Sequence, residues 1–206
     1  DILSGKPILS LRPRYEHAEQ TGKETGQATT MRMLAGWKTN AWQGLSGTIE
    51  LIDVGRLNDN YNDGLNGKTQ YPVIADPDNT DINLLYLDYA SLPETNVRAG
   101  RQSIKLDNVR FIGNAEFRQV MQVFNGVTVE NKSLTDTSLY AGYLERVKTV
   151  NTRQHGTDTI LLNANYAITP ADALVGYGYL QDKQDAISAT ALQGAAPTDT
   201  SNQVVG

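Results

Sequence analysis

The chain has 206 residues, a formal net charge of −5 and no cysteine, so disulfides, zinc–thiolate sites and thiol nucleophiles are excluded. Only His17 and His155 could supply imidazole, which rules out a multi-histidine metal centre, and the acidic balance argues against nucleic acid as a partner. No apolar run is long enough for a transmembrane helix, but a transmembrane β-barrel escapes that test because its apolar residues occupy every second position.

That alternation runs through the chain. In residues 8–16, Leu9, Leu11, Pro13 and Tyr15 oppose Ser10, Arg12, Arg14 and Glu16. In 29–38, Met31, Met33, Ala35 and Trp37 oppose Thr30, Arg32, Gly36 and Lys38. In 45–52, Leu45, Ile49 and Leu51 oppose Ser46, Thr48 and Glu50, and in 82–89, Leu85, Leu87 and Tyr89 oppose Tyr86 and Asp88. In 96–102, Val97 and Ala99 oppose Asn96, Arg98 and Gln102; in 122–130, Val127 and Val129 oppose Gln122, Thr128 and Glu130. In 138–146, Leu139, Ala141 and Tyr143 oppose Ser138, Gly142 and Arg146. Two further strands are predicted over 159–167 and 173–181; in the last, Val175, Tyr177 and Tyr179 oppose Gly176 and Gly178. Most of these roughly nine segments approach the about 9–11 residues a tilted strand needs to cross a bilayer. The segment Phe117–Phe124 could be read as helical but lacks a cap and a run of helix formers.

The connections alternate too. Thr39–Gly44, Ala90–Glu94, Lys132–Asp136 and Ile168–Ala171 are short; His17–Gln27, Gly55–Asp81, Ser103–Gln119, Lys148–Gly156 and Asp182–Ser201 are mostly longer. Outer-membrane barrels place short turns at the periplasmic end and long loops outside. The pattern therefore predicts an all-β, antiparallel transmembrane barrel, with a soluble sandwich or solenoid as the alternative. A closed barrel of this kind takes an even strand number and leaves no edge in lipid, so 1–206 is expected to be a single but incomplete barrel domain, its remaining strands lying elsewhere.

Several stretches resemble the alginate export family of Gram-negative outer-membrane porins. They are Leu11–Glu16 (LRPRYE), Tyr61–Pro72 with Val73–Asp78 (YNDGLNGKTQYP, VIADPD), Ala99–Gly113 with Arg118–Gln119 (AGRQSIKLDNVRFIG, RQ), and Tyr140–Val147 (YAGYLERV). The resemblance implies an eighteen-stranded barrel of which this chain is about the first half, a cell outer membrane location, and solute passage through a water-filled lumen. It points to polyuronate export or to simpler porin behaviour.

The candidate solute path consists of Arg12, Arg14, Arg32, Arg98 and Arg146, all on the polar side of their strands, where guanidinium would attract anionic or saccharide solutes. The competing reading pairs them with Glu16, Glu50, Asp88 and Glu130 as ladders that stiffen the wall. Lys105, Asp107, Arg110 and Arg118 lie among Ile104, Phe111, Ile112 and Phe117 in a segment expected to fold inward and constrict the barrel rather than remain an exposed loop. Tyr15, Trp37, Trp42, Tyr89 and Tyr143 sit near strand ends as an interfacial belt would, or reflect aromatic β-propensity. On this reading a cation is costly at Met33 and tolerated at Thr30. The carboxylates of 76–81 could hold Ca²⁺, but the run lacks the glycine and distal glutamate of an EF-hand loop. No nucleophile elbow, P-loop or dinucleotide turn is present, so neither an enzyme nor a cofactor is expected. The expected partners are outer-membrane lipid, lipopolysaccharide and the solute; a soluble or surface-exposed glycan-binding or adhesin module is the alternative function.

Overall fold

The computed structural model describes residues 4–181 and 202–205. One antiparallel sheet in strict chain order contains β1 (Gly5–Ala18), β2 (Gly26–Thr39), β3 (Leu45–Arg56), β4 (Asn79–Leu92), β5 (Thr95–Gln102), β6 (Val123–Asn131), β7 (Thr137–Lys148), β8 (Gln154–Ala167), β9 (Ala173–Gln181) and β10 (Asn202–Val205). No helix occurs among the described residues, and 117–122 is turn and coil leading into β6. Most strands outrun the segments read from alternation, because their end residues pair without keeping the apolar–polar rhythm. The tenth strand continues the meander, and its register with β9 runs from Asn202 opposite Gln181 to Val205 opposite Gly178.

Register explains the outer face. Leu87, Ala99, Val127, Tyr143 and Ile160 are successive cross-strand partners along β4 to β8. They form one apolar row, and residues directly opposite share a face. Leu9, Leu11, Leu51, Leu85, Leu162 and Leu174 are likewise exposed. A soluble protein rarely shows so continuous an apolar surface; a barrel wall in lipid requires one. Tyr15 lies towards the long-connection end of this face, with Trp37, Trp42 and Tyr89 towards the short-turn end; Tyr143, opposite Val127, stands mid-strand instead, and all five are exposed.

Turn chemistry closes the short-turn end. Gln43 and Gly44 both have positive φ, 49° and 78°, as a type I′ hairpin turn demands. A Cβ on Gly44 would lie 2.0 Å from Ser91 Oγ, so the neighbouring hairpin packs where a side chain would stand. The 149–153 connection is also tight, held by Thr149 N–H to Arg153 O and Thr152 N–H to Thr149 O. It is therefore shorter than the sequence spacing predicts, since β8 begins at Gln154.

The buried apolar residues lie beneath two irregular segments instead of forming a central core. Ile104 and Ile112 of the 103–122 segment pack with Phe124, Leu144, Val147, Leu161 and Tyr179; Val120 packs with Leu34, Ile52 and Val54. The sheet face that these residues cover is the inner face. A third cluster, Ala28, Tyr61 and Ile74, anchors the 57–78 loop.

Two alternation readings are corrected here. On β9 the apolar side points inward: Tyr179 is buried and Tyr177 packs against the same cluster, while Leu174 and Leu180 are the exposed residues. The aromatic pair faces in because Phe111 of the inner segment is there to receive it. On β7 a bulge between Leu144 and Arg146 inserts Glu145, so the parity changes. Leu144 points inward and Arg146 joins Asn125 and Gly156 on the outer face.

Candidate solute path

The inner face of β1 and β2 presents Arg12, Arg14 and Arg32 in adjoining positions, with Arg12 directly opposite Arg32. Three like charges this close repel unless something negative lies over them. What lies over them is main chain. Arg12 donates to the carbonyls of Glu116 (2.8 Å), Phe117 (3.1 Å) and Arg118 (3.4 Å). Arg14 donates to Phe117 O and to Glu16, and Arg32 donates to Gln119 O at 3.4 Å. Four successive carbonyls of the inner segment are thus held by three guanidiniums; the peptide dipoles accept their hydrogen bonds without cancelling the charge, and Arg32 Nε stays buried without a partner. Among the described residues, Arg12 and Arg32 have no carboxylate within 4.0 Å.

Arg98 behaves differently. It is the cross-strand partner of Asp88, binds both its oxygens, and stacks over the Tyr86 ring at 4.0 Å. This is the wall pair that the competing reading anticipates. Arg146 departs from the row, its nearest ion-pair contact being Glu145 at 3.9 Å on the outer side.

The inner segment carries the other candidates. Lys105 hydrogen-bonds Glu116, closing the segment on itself and holding the Glu116 carboxyl below the usual range. Arg118 reaches Glu16 on β1 at 3.1 Å. At the far side Asp107 accepts hydrogen bonds from Asn163 Nδ2 and from the Tyr179 hydroxyl, which fixes the segment to β8 and β9. Arg110 is exposed, with its guanidinium 5.5 Å from the Phe111 ring. The segment therefore crosses the inner face from β1 to β9. Of the four apolar side chains singled out in the sequence, Ile104 and Ile112 are buried and Phe111 is partly so, while Phe117 is 62% exposed.

The outer 57–78 loop is ordered by its own side chains. Asp63 Oδ1 accepts the N–H groups of Leu65 and Asn66, Asn62 Oδ1 accepts that of Gly64, and Lys68 donates to Asp59 O. The Tyr61 hydroxyl donates to Asp76 O at 2.9 Å, and burial pushes that hydroxyl's pKa well above its ordinary value. The acids proposed for Ca²⁺ diverge: Asp76 turns to Gln119, Asp78 to Arg56 and Asp81 to Lys148. Among the described residues, no group of three or more His, Asp or Glu is arranged to hold a metal ion.

Two participants escaped the pattern reading. Gln119 is fully buried and sends its amide nitrogen to Thr30 Oγ1 (2.9 Å) and Arg12 O (3.2 Å). Asp76 is also fully buried although it belongs to an acidic outer loop. Both fall in stretches that carry the family resemblance, but the alternation does not show what either does, because each role is set by a partner more than forty positions away.

A continuous apolar outer face, aromatic ends, short turns at one rim and a chain segment laid across the inner face define an arc of outer-membrane porin wall. The chain belongs to the alginate export family, whose sequence model matches residues 9–199. No curated protein sequence matches it. Among solved structures it is similar to a BenF-like porin from Pseudomonas fluorescens Pf-5, with a TM-score of 0.69 at 14% identity over 88% of this chain and 50% of that one. It is also similar to Acinetobacter baumannii OccAB1, with a TM-score of 0.64 at 15% identity over 88% of this chain and 45% of that one. Pseudomonas aeruginosa OpdK, solved with vanillate, gives a TM-score of 0.65 at 12% identity over 88% of this chain and 50% of that one. The chain spans about half the length of these porins. Its place is the cell outer membrane.

Proposed function

We propose that this chain is half the wall of an outer-membrane pore, completed to about eighteen strands, that passes anionic or saccharide solutes passively. The observation that carries the preference for anions is the pair of partly exposed Arg12 and, beside it, buried Arg32: inner-face cations within a wall, with no carboxylate within 4.0 Å among the described residues. A wall charge held close to the permeating ion acts at short range, whereas loop carboxylates in bulk water are screened within about 8–10 Å. The inner segment then forms the constriction, with Arg110 adding positive charge, Lys105 and Arg118 paired with Glu116 and Glu16, and Asp107 serving as an anchor. OpdK solved with vanillate, a carboxylate, supports this solute class, and the family description extends it to polyuronates such as alginate. Lipid and lipopolysaccharide cover the outer face. The exposed apolar rows disfavour a soluble glycan-binding module, and no catalytic role belongs to this reading. Reversal potential of the complete barrel in a salt gradient tests it: anion preference is expected, and cation preference would sink it.

A further inference from the structure

The two stretches that most resemble the alginate export family, the outer loop ending in VIADPD and the segment running through RF to RQ, lie far apart in sequence but meet at a single contact. Asp76 Oδ1 accepts the backbone N–H of Gln119 at 2.8 Å, across 43 residues of chain. Asp76 Oδ2 lies 3.4 Å from Arg14 Nε, an ion pair without a hydrogen bond, and both Asp76 and Gln119 have no exposed surface. Behind Asp76 stands Tyr61, whose hydroxyl binds the Asp76 carbonyl, and Tyr61 itself packs with Ala28 and Ile74. The carboxylate is therefore presented by a rigid part of the loop. In front of it, the Gln119 side chain bonds Thr30 and the Arg12 carbonyl, and the preceding carbonyls are held by Arg12 and Arg14.

We propose that Asp76 is a positioning residue for the constriction: the outer loop uses it to pin the Glu116–Gln119 stretch against the β1–β2 wall and thereby sets the bore. The stretch needs such a pin from outside. Arginines attract its carbonyls, but Gln119 N–H is a donor that they cannot satisfy, and a buried N–H left without an acceptor is costly. Asp76 supplies the acceptor, and its charge offsets part of the repulsion within the arginine group. An outer loop and a lumen segment thus behave as one unit: movement of the loop loosens the constriction. This rests on reading the 103–122 segment as the constriction.

The test uses the complete barrel in planar bilayers. Asp76→Ala should raise single-channel conductance at least 1.5-fold and add flicker between levels. Asp78→Asn, an exposed acid of the same loop bound to Arg56, should leave both unchanged. Asp76→Asn keeps an acceptor for Gln119 but removes the charge, so it should keep near-normal conductance and shift the reversal potential towards anions. Should Asp76→Ala not assemble, an Asp76→Asn channel equal to the unaltered one in reversal potential and noise overturns the proposal. Phe117→Cys, at an exposed point of the pinned stretch, separates the two levels of inference. A bulky thiol reagent should reduce its conductance. If it does and Asp76→Ala still matches Asp78→Asn, the pin is wrong and the constriction stands; if the reagent has no effect, the constriction reading falls and the pin with it.

Discussion

Arg98 and Asp88 face one another as register partners on β5 and β4 and are joined by hydrogen bonds of 2.7 and 3.0 Å, with the Arg98 guanidinium lying over Tyr86. The contrast with Arg12 and Arg32 is chemical as well as positional, because bidentate pairing leaves little field for a passing ion.

The first expectation follows from that pair. Arg98→Gln leaves Asp88 buried with only the long hydrogen bond from Asn96 Nδ2, which costs about 2–4 kcal/mol given partial exposure of the arginine. The double change Arg98→Gln with Asp88→Asn should recover much of it. Urea unfolding of the reconstituted barrel would show the coupling, and strictly additive losses would contradict the pairing.

Charge on the outer row should be poorly tolerated. Val127→Arg places a cation between Ala99 and Tyr143 in the lipid-facing row, at a cost of about 2–4 kcal/mol near the bilayer middle. The heat-modifiable folded band on a semi-native gel should weaken accordingly. Inner positions are not uniformly permissive: Thr30, expected from its facing to accept Arg, has 1% exposure and receives Gln119 Nε2, so Thr30→Arg should displace the segment.

Gly100 is a backbone requirement. Its φ is +125°, and an added Cβ would stand 2.3 Å from the Leu85 carbonyl oxygen. Gly100→Ala should cost at least about 1–3 kcal/mol through backbone strain, and Gly100→Val should prevent assembly, as outer-membrane yield would reveal. Yield equal to that of the unaltered protein would refute the strain argument.

Acid should release the fold-back of the inner segment. The hydrogen bond and charge of Lys105 hold the Glu116 carboxyl below its ordinary pKa. A depressed carboxylate contributes above the unfolded pKa and loses that contribution as pH falls through the lowered value. Open-channel noise should therefore be flat from neutral pH to about 5 and rise only below the usual carboxylate range of about 4. Glu116→Gln should show the raised noise at every pH; a rise centred near pH 6 would point to another group.

Most of the wall was legible because alternation at every second residue is imposed by lipid on one side and water on the other, as the Leu87 to Ile160 row shows. It failed where backbone geometry or a distant partner intervenes. The Glu145 bulge re-aims Arg146 without altering the sequence rhythm before it. The inward turn of Tyr177 and Tyr179 is decided by Phe111, more than sixty residues earlier. Lys105, Asp107 and Arg118 were found by composition, since a loop rich in both charge and large apolar groups needs two environments; Asp76 was read only as part of an acidic run and Gln119 only as part of the family resemblance, because their contact spans two distant segments.

The arginines of β1 and β2 grip the inner segment by its carbonyl oxygens, a feature every residue type shares. The exposed side chains of Arg110 and Phe117 are consequently spare parts: they can be exchanged while the fastening stays as it is. A wall of this design lets a lineage re-tailor what passes by substitution at two or three letters, with the strands, turns and lipid contacts inherited untouched.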